Sequence, residues 1–200
     1  STGEVMGTAK TFGQAYVKAQ LAAGLKLPQD GKIFITVCDR DKSEVVNIAQ
    51  ELAALGYKIL STEGTAEVLT ASGVEVTVVS KLHEARPNIV DLIKSGEIAL
   101  VINTPWGKGP RSDGYQIRTE AVLNGVSCIT TMAGARALVQ GLKEMKAKNW
   151  DIFPLQHYHR SLPRQKISEL AAKQAGWASS STPLPQLIKL AENVDSSLVS

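Results

Sequence analysis

The segment Thr62-Glu63-Gly64-Thr65 puts two hydroxyls, a carboxylate and a glycine between an apolar run and a helix-forming run. A strand-to-helix turn of that composition leaves backbone N–H groups pointing outward at the helix start. With the positive end of the helix dipole and the hydroxyls of Thr62 and Thr65, they form a seat for a phosphate or a carboxylate. Gly64 is free to take positive φ in that turn. The plain alternative is a capped helix start, with Thr65 as the N-cap and Gly64 as a turn residue. Short motifs occur often by chance, so the equivalent segments elsewhere in the chain decide.

Those segments are set out by a regular pattern that begins at Lys32. Strand-like runs fall at Ile33–Val37, Tyr57–Leu60, Val74–Val79, Ile98–Ile102 and Val126–Ile129. Helical runs alternate with them at Ser43–Leu55, Thr65–Ser72, Asn88–Lys94, Tyr115–Asn124 and Ala133–Lys146. All but the last of these helices end at a glycine (Gly56, Gly73, Gly96, Gly125), the residue that suits the position after a helix. The alternation predicts α/β architecture, an open five-stranded parallel sheet flanked by helices in three layers.

In such a sheet ligands bind off the carboxyl ends of the strands. Cys38-Asp39-Arg40-Asp41-Lys42 follows the first strand, Lys81 the third, Asn103-Thr104 the fourth and Thr130-Thr131 the fifth. Lys42, Lys81, Asn103 and Thr104 therefore converge on the rim that holds Thr62, Gly64 and Thr65. Lysine, threonine and a helix N-terminus are standard means of holding phosphate. Each residue alone has a duller role, Lys42 as a solvated first-turn residue and Asn103 as a turn former; the convergence favours phosphate binding.

Acid–base chemistry would need a carboxylate or histidine aimed at the ligand. Asp39, Asp41, Glu63, His83 and Glu84 are the candidates, and none has a pattern that marks it as a base. The reading is a binding site with no catalytic residue assigned. His157 and His159 lie two apart with no third ligand in sight, so no metal site is expected.

At 200 residues and 44% hydrophobic content the chain can bury a substantial core. A net charge of +3 without a basic block argues against a nucleic-acid partner, and no apolar run approaches the ~18 residues of a membrane span. Cys38 and Cys128 adjoin apolar runs and suggest buried thiols in a reducing cytosol.

Four regions are expected. Residues 1–30 hold a helix near 9–24, standing apart from the main core, and a linker marked by Gly24, Pro28 and Gly31. Residues 31–150 form the α/β domain. Residues 151–160 are a candidate edge strand, where Pro154 would be tolerated. Residues 161–200 are a loosely held tail, with a flexible linker at Ser179–Pro185 between two short helices. Starting at Ser1 without Met, the chain is expected to be cut from something longer or processed.

The chain resembles the C-terminal end of the carbamoyl-phosphate synthase large subunit, including its methylglyoxal-synthase-like regulatory domain. The residues that carry this are Ser1–Gly7, like the close of an ATP-grasp unit, and Thr11–Gln20, like the helix that follows it. Asp41-Lys42, Thr62–Ala66, the run from Lys81 to Ile89, Ile102–Thr104 and Ile117-Arg118 continue the match in order, covering roughly residues 1–150. The resemblance implies an effector-binding domain. Lys42, Thr62, Thr65 and Lys81 would grip the phosphate of a UMP- or IMP-type nucleotide, and Asn103 and Thr104 would line its ribose or base.

For the full-length enzyme the resemblance implies an ATP-dependent ligase using Mg or Mn, with a glutaminase small subunit as partner and an oligomeric assembly. It would serve pyrimidine and arginine biosynthesis in the cytoplasm, or in the plastid stroma of a plant. The fragment itself would need no cofactor. Two departures stand out: Pro105-Trp106 replaces a small hydroxyl-bearing pair common in enteric relatives, and Thr119 follows Arg118 where many relatives carry a second arginine. The rival readings are a methylglyoxal synthase-like phosphate-eliminating enzyme, an IMP cyclohydrolase-like fold and a stand-alone nucleotide-binding module. The first would need an aspartate in the segment after the third strand. That segment reads Lys81-Leu82-His83-Glu84-Ala85-Arg86, and the next aspartate is Asp91, inside a helix.

Overall fold

The computed structural model describes residues 3–80, 82, 86–105, 113–147 and 152–160. The expected tail at 161–200, with Lys81, His83, Glu84 and Trp106, lies outside the described residues. The chain divides into two units, Ser1–Trp150 and Asp151–Ser200.

In the first unit the elements run α1 (Phe12–Ala22), β1 (Lys32–Thr36), a 3-10 turn (Asp39–Asp41), α2 (Lys42–Ala54), β2 (Lys58–Ser61), α3 (Glu63–Ala71), β3 (Val76–Val78), α4 (Ile89–Lys94), β4 (Ile98–Asn103), α5 (Asp113–Leu123), β5 (Ser127–Ile129) and α6 (Met132–Lys146). The strands form one sheet in the order β3-β2-β1-β4-β5, and every pair is parallel. The open parallel α/β sheet expected from the sequence is the one observed.

Strand periodicity divides the core between the two faces. Ile33 and Ile35 of β1 join Leu100 and Ile102 of β4 under α2 and α6, with Leu69 of α3. Phe34 points the other way, among Ile89 and Ile93 of α4 and Ile117 and Ala121 of α5. Along β4 the pairing slips between Ile98 and Leu100 (partners Lys32 and Ile33), and Ile98 shares the α4–α5 face with Val101. Fully buried Phe34, Ile33, Ile35, Leu100 and Ile102 make β1 and β4 the centre of this unit, each side chain contributing roughly 1.5–3 kcal/mol of transfer free energy.

Two expectations about the chain's periphery are overturned. The N-terminal helix does not stand apart from the core. Gly13, Gln14 and Val17 of α1 are buried, and α1 packs on α6. Small residues allow the close approach: a Cβ at Gly141 would overlap Val17, and one at Gly13 would press on the Gln140 backbone. At the rim of this contact Thr11 and Gln14 donate to the two carboxylate oxygens of Glu144.

In the second unit the candidate edge strand is instead a short helix, α7 (Leu155–Arg160). Proline lacks an N–H and fixes φ near the helical value, so it starts helices as readily as it borders strands. Here the Pro154 carbonyl accepts the first turn's bond from the His157 N–H. His157 stacks on Phe153 at 4.2 Å between ring centroids.

Candidate functional site at the carboxyl rim of β1, β2 and β4

The sheet order reverses between β1 and β4: β2 and β3 extend to one side, β5 to the other. Such a switch point opens a crevice off the carboxyl ends of the strands. Six site residues of the sequence reading, Lys42, Thr62, Gly64, Thr65, Asn103 and Thr104, meet there or beside it, and the backbone shows why.

β2 delivers Thr62 and α3. Thr62 is the N-cap residue of α3, with extended φ and ψ of −74° and 154°. Its carbonyl accepts from the Thr65 and Ala66 N–H groups, but its side chain caps nothing. The Thr62 hydroxyl instead lies 3.0 Å from that of Thr36, the last residue of β1. The helix therefore begins three residues' worth of chain earlier than a Thr65 cap would place it. Thr65 sits in the first turn, 2% exposed, with its hydroxyl accepting from the Val37 N–H at 3.4 Å. The hydroxyl keeps its own hydrogen to donate. Gly64 does not use its freedom to take positive φ, because it lies inside α3, where helical dihedrals apply. A Cβ built there would stand 3.6 Å from Lys42 Nζ, so the lysine reaches across from α2 to the start of α3.

Lys42 opens α2 directly after the 3-10 turn and pairs with Asp39 at 2.8 Å. Asp39 is 92% exposed, so this ion pair is solvated and worth little. Asp41 holds the N-cap position of α2, yet its side chain caps nothing. It accepts from the Cys38 thiol at 3.1 Å and pairs with Arg40. The thiol's hydrogen bond holds the Asp41 carboxyl below its ordinary pKa, helped by the Thr104 hydroxyl and the Arg40 charge.

β4 delivers Asn103 and Thr104, each 5% exposed. The Thr104 hydroxyl accepts from the Cys38 N–H at 3.1 Å and faces its sulfur at 3.6 Å. The Asn103 side chain donates to the Thr36 carbonyl at 3.4 Å and accepts from Arg118 of α5. Both residues thus brace the end of β1, while Thr62, Gly64 and Lys42 present the more open face of the rim.

Sequence reasoning did not mark Thr36, Cys38 or Arg118 as site residues. A threonine closing a strand reads as an ordinary strand former, and an arginine on a helix as a solvated charge. The one available signal was position: Thr36 stands at the carboxyl end of the central strand. Thr131, at the matching place after β5, has the duller role, capping α6 through the Gly134 N–H at 3.1 Å. Of the carboxylates considered as bases, Glu63 is exposed, while Asp39 and Asp41 are tied up as described. Among the described residues no group of three or more His, Cys, Asp or Glu could hold a metal ion. No helix among them is long and apolar enough to cross a membrane.

Residues 44–130 match the family model of the MGS-like domain. That stretch of the chain is an MGS-like domain. It is 48% identical over 163 residues to the carbamoyl phosphate synthase large chain of Ralstonia nicotianae, covering 81% of this chain and 15% of that one. It is 48% identical over 179 residues to the C-terminal section of the Methanopyrus kandleri large chain, covering 88% of this chain and 33% of that section. The MGS-like chain therefore spans a third or less of the length of these relatives. The crystal structure of methylglyoxal synthase from Elizabethkingia anophelis NUHP1 superposes with a TM-score of 0.47 at 20% identity, covering 56% of this chain and 79% of that one.

Proposed function

We propose that this MGS-like chain is the effector-binding part of a carbamoyl phosphate synthase large chain. It takes a phosphorylated nucleotide of the UMP or IMP type at the carboxyl rim of its sheet. One observation carries the reading. α1, α4 and α6 have their N-termini capped by the side chains of Thr11, Asn88 and Thr131. α3, which starts at the rim, has no side-chain cap, and the Lys42 ammonium approaches its first turn; α2 instead runs on from the 3-10 turn, where the Asp39 carbonyl accepts from the Lys42 N–H. Uncapped N–H groups, a positive helix end and a cation suit an anion.

Lys42, Thr62, Gly64 and Thr65 hold the phosphate, with Lys81 completing the grip. Asn103 and Thr104 line the ribose or base side, and the Asn103 amide stands where that side meets the phosphate seat. The role is regulatory and the chain itself catalyses nothing. An effector that favours one conformation shifts the attached synthetase by its differential affinity, typically ~1–3 kcal/mol. The synthetase upstream supplies the ATP- and Mg- or Mn-dependent chemistry, with a glutaminase small subunit as ammonia source, for pyrimidine and arginine synthesis in the cytoplasm.

A thermal-shift screen of UMP, IMP, UTP, phosphoribosyl pyrophosphate and N-acetylglutamate tests this. A ligand at ~100 times its dissociation constant adds about 2.7 kcal/mol of stability. A shift with a phosphorylated ligand supports the reading. A shift with N-acetylglutamate alone, or with none of the five, contradicts it.

A further inference from the structure

We infer that Arg118 is a positioning residue for the anion site: it fixes the side-chain amide of Asn103 so that the amide offers hydrogen, not oxygen, to the rim. The inference rests on the reading of that rim as a phosphate seat. A primary amide has two chemically opposite ends, and only one of them suits an anion. Which end faces the ligand is settled here by partners that can act in only one way. The guanidinium of Arg118 has donors and no acceptor, so the atom it meets is Oδ1. The backbone carbonyl of Thr36 has only an acceptor, so the atom it meets is Nδ2. The two contacts agree on one orientation. Neither uses the second Nδ2 hydrogen, which is the group left to donate beside the hydroxyl of Thr36.

The placement is built from three elements. Asn103 pairs in register with Thr36 across β1 and β4, so its side chain stands at the end of the central strand. Arg118 reaches it from α5, fifteen positions along the chain. Gly114, in the first turn of α5, lies against both: a Cβ there would come within 3.0 Å of Arg118 Nη1 and 3.2 Å of Asn103 Oδ1. The glycine leaves room for the pair, and any side chain at 114 would press on it. Without Arg118 the amide is held only by the 3.4 Å bond to the Thr36 carbonyl and can turn over, exchanging that bond for one to water and directing oxygen lone pairs at the phosphate. A flipped amide repels an anion and is indifferent to a neutral ligand.

The test uses the full 200-residue chain with UMP, IMP and their nucleosides as probes, titrated calorimetrically. Arg118→Met, which keeps the stem and removes every donor, is expected to weaken the nucleotide that binds by at least tenfold and to leave its nucleoside nearly unchanged. Arg118→Lys, which restores a cationic donor group, is expected to recover most of the loss. Asn103→Ala added to Arg118→Met is expected to cost little more, because the amide is already misdirected. Full nucleotide affinity in Arg118→Met, or equal and independent losses from the two substitutions, would overturn the inference. The side-chain amide NMR signals of Asn103 give a readout that needs no ligand. They are expected to shift in Arg118→Met and, more weakly, in Gly114→Ala. If neither nucleotide binds the wild-type chain, the effector reading fails on its own, and unchanged Asn103 signals in Arg118→Met would still overturn this one.

Discussion

The hydroxyls of Thr36 and Thr62 meet at 3.0 Å across the carboxyl ends of β1 and β2. This pairing diverts Thr62 from the usual work of an N-cap threonine, which is to accept from an N–H of its own helix. The start of α3 therefore keeps N–H groups to offer outward, and two adjacent hydroxyls stand beside them. Under the proposed function, central strand, helix start and lysine are three parts of one anion seat.

Lys42→Ala should weaken a bound nucleotide monophosphate by about 10- to 150-fold, the value of a charge-assisted hydrogen bond of roughly 1.5–3 kcal/mol. Stability should change by less than about 0.5 kcal/mol, because the partner that Lys42 loses, Asp39, is 92% exposed. Titration calorimetry and urea unfolding check the two halves separately. Lys81→Ala should behave alike, and the double variant should fall short of additivity if both ammonium groups share one phosphate.

Thr104→Val removes the acceptor of the Cys38 N–H, a bond of 3.1 Å between residues 8% and 5% exposed. A buried donor left without a partner costs about 1–3 kcal/mol. Urea unfolding of the variant should show that loss, with the slope of the transition unchanged.

Asp41 gives the stability of the rim a pH dependence of known sign. Its pKa is lowered in the folded chain, first by the Cys38 thiol and then by the Thr104 hydroxyl and the Arg40 charge. The folded state thus binds fewer protons than the unfolded state near the ordinary value of 3.8. The stabilisation is present above 3.8 and is lost as pH falls through the lower folded value. Asp41→Asn should flatten the acid limb of a stability–pH curve. An unchanged limb would remove Asp41 from the network.

Gly141→Ala tests the docking of α1 on α6. Its Cβ would overlap the Val17 side chain. Overpacking of this kind costs typically about 1–3 kcal/mol. A neutral substitution would mean that α1 lifts away from α6 in solution.

Much of this architecture could be read from residue order. The apolar runs and the glycines after them place every strand and helix of the first unit to within a few positions, and Gly56, Gly73, Gly96 and Gly125 do take positive φ. What failed depended on partners distant in sequence. The pattern of α1 shows an apolar face but not that Gly13 and Gly141 let it close on a helix more than a hundred residues later. Pro154 is compatible with a strand edge and with a helix start, and local sequence does not choose between them. At the site, residue types named Lys42, Thr62, Thr65 and Asn103, whose chemistry is explicit. Thr36 and Arg118 act through a hydroxyl pair and an amide contact that exist only once β1, β2, β4 and α5 are assembled.

Amide NMR during a titration of the isotope-labelled chain with UMP and with IMP tests the central claim most directly, with uridine and inosine as controls. The backbone amides of Glu63, Gly64 and Thr65 at the start of α3 are expected to shift saturably with one of the nucleotides and to move little with its nucleoside. Saturable binding that leaves these three amides in place, or nucleoside shifts as large as those of the nucleotide, would contradict the account.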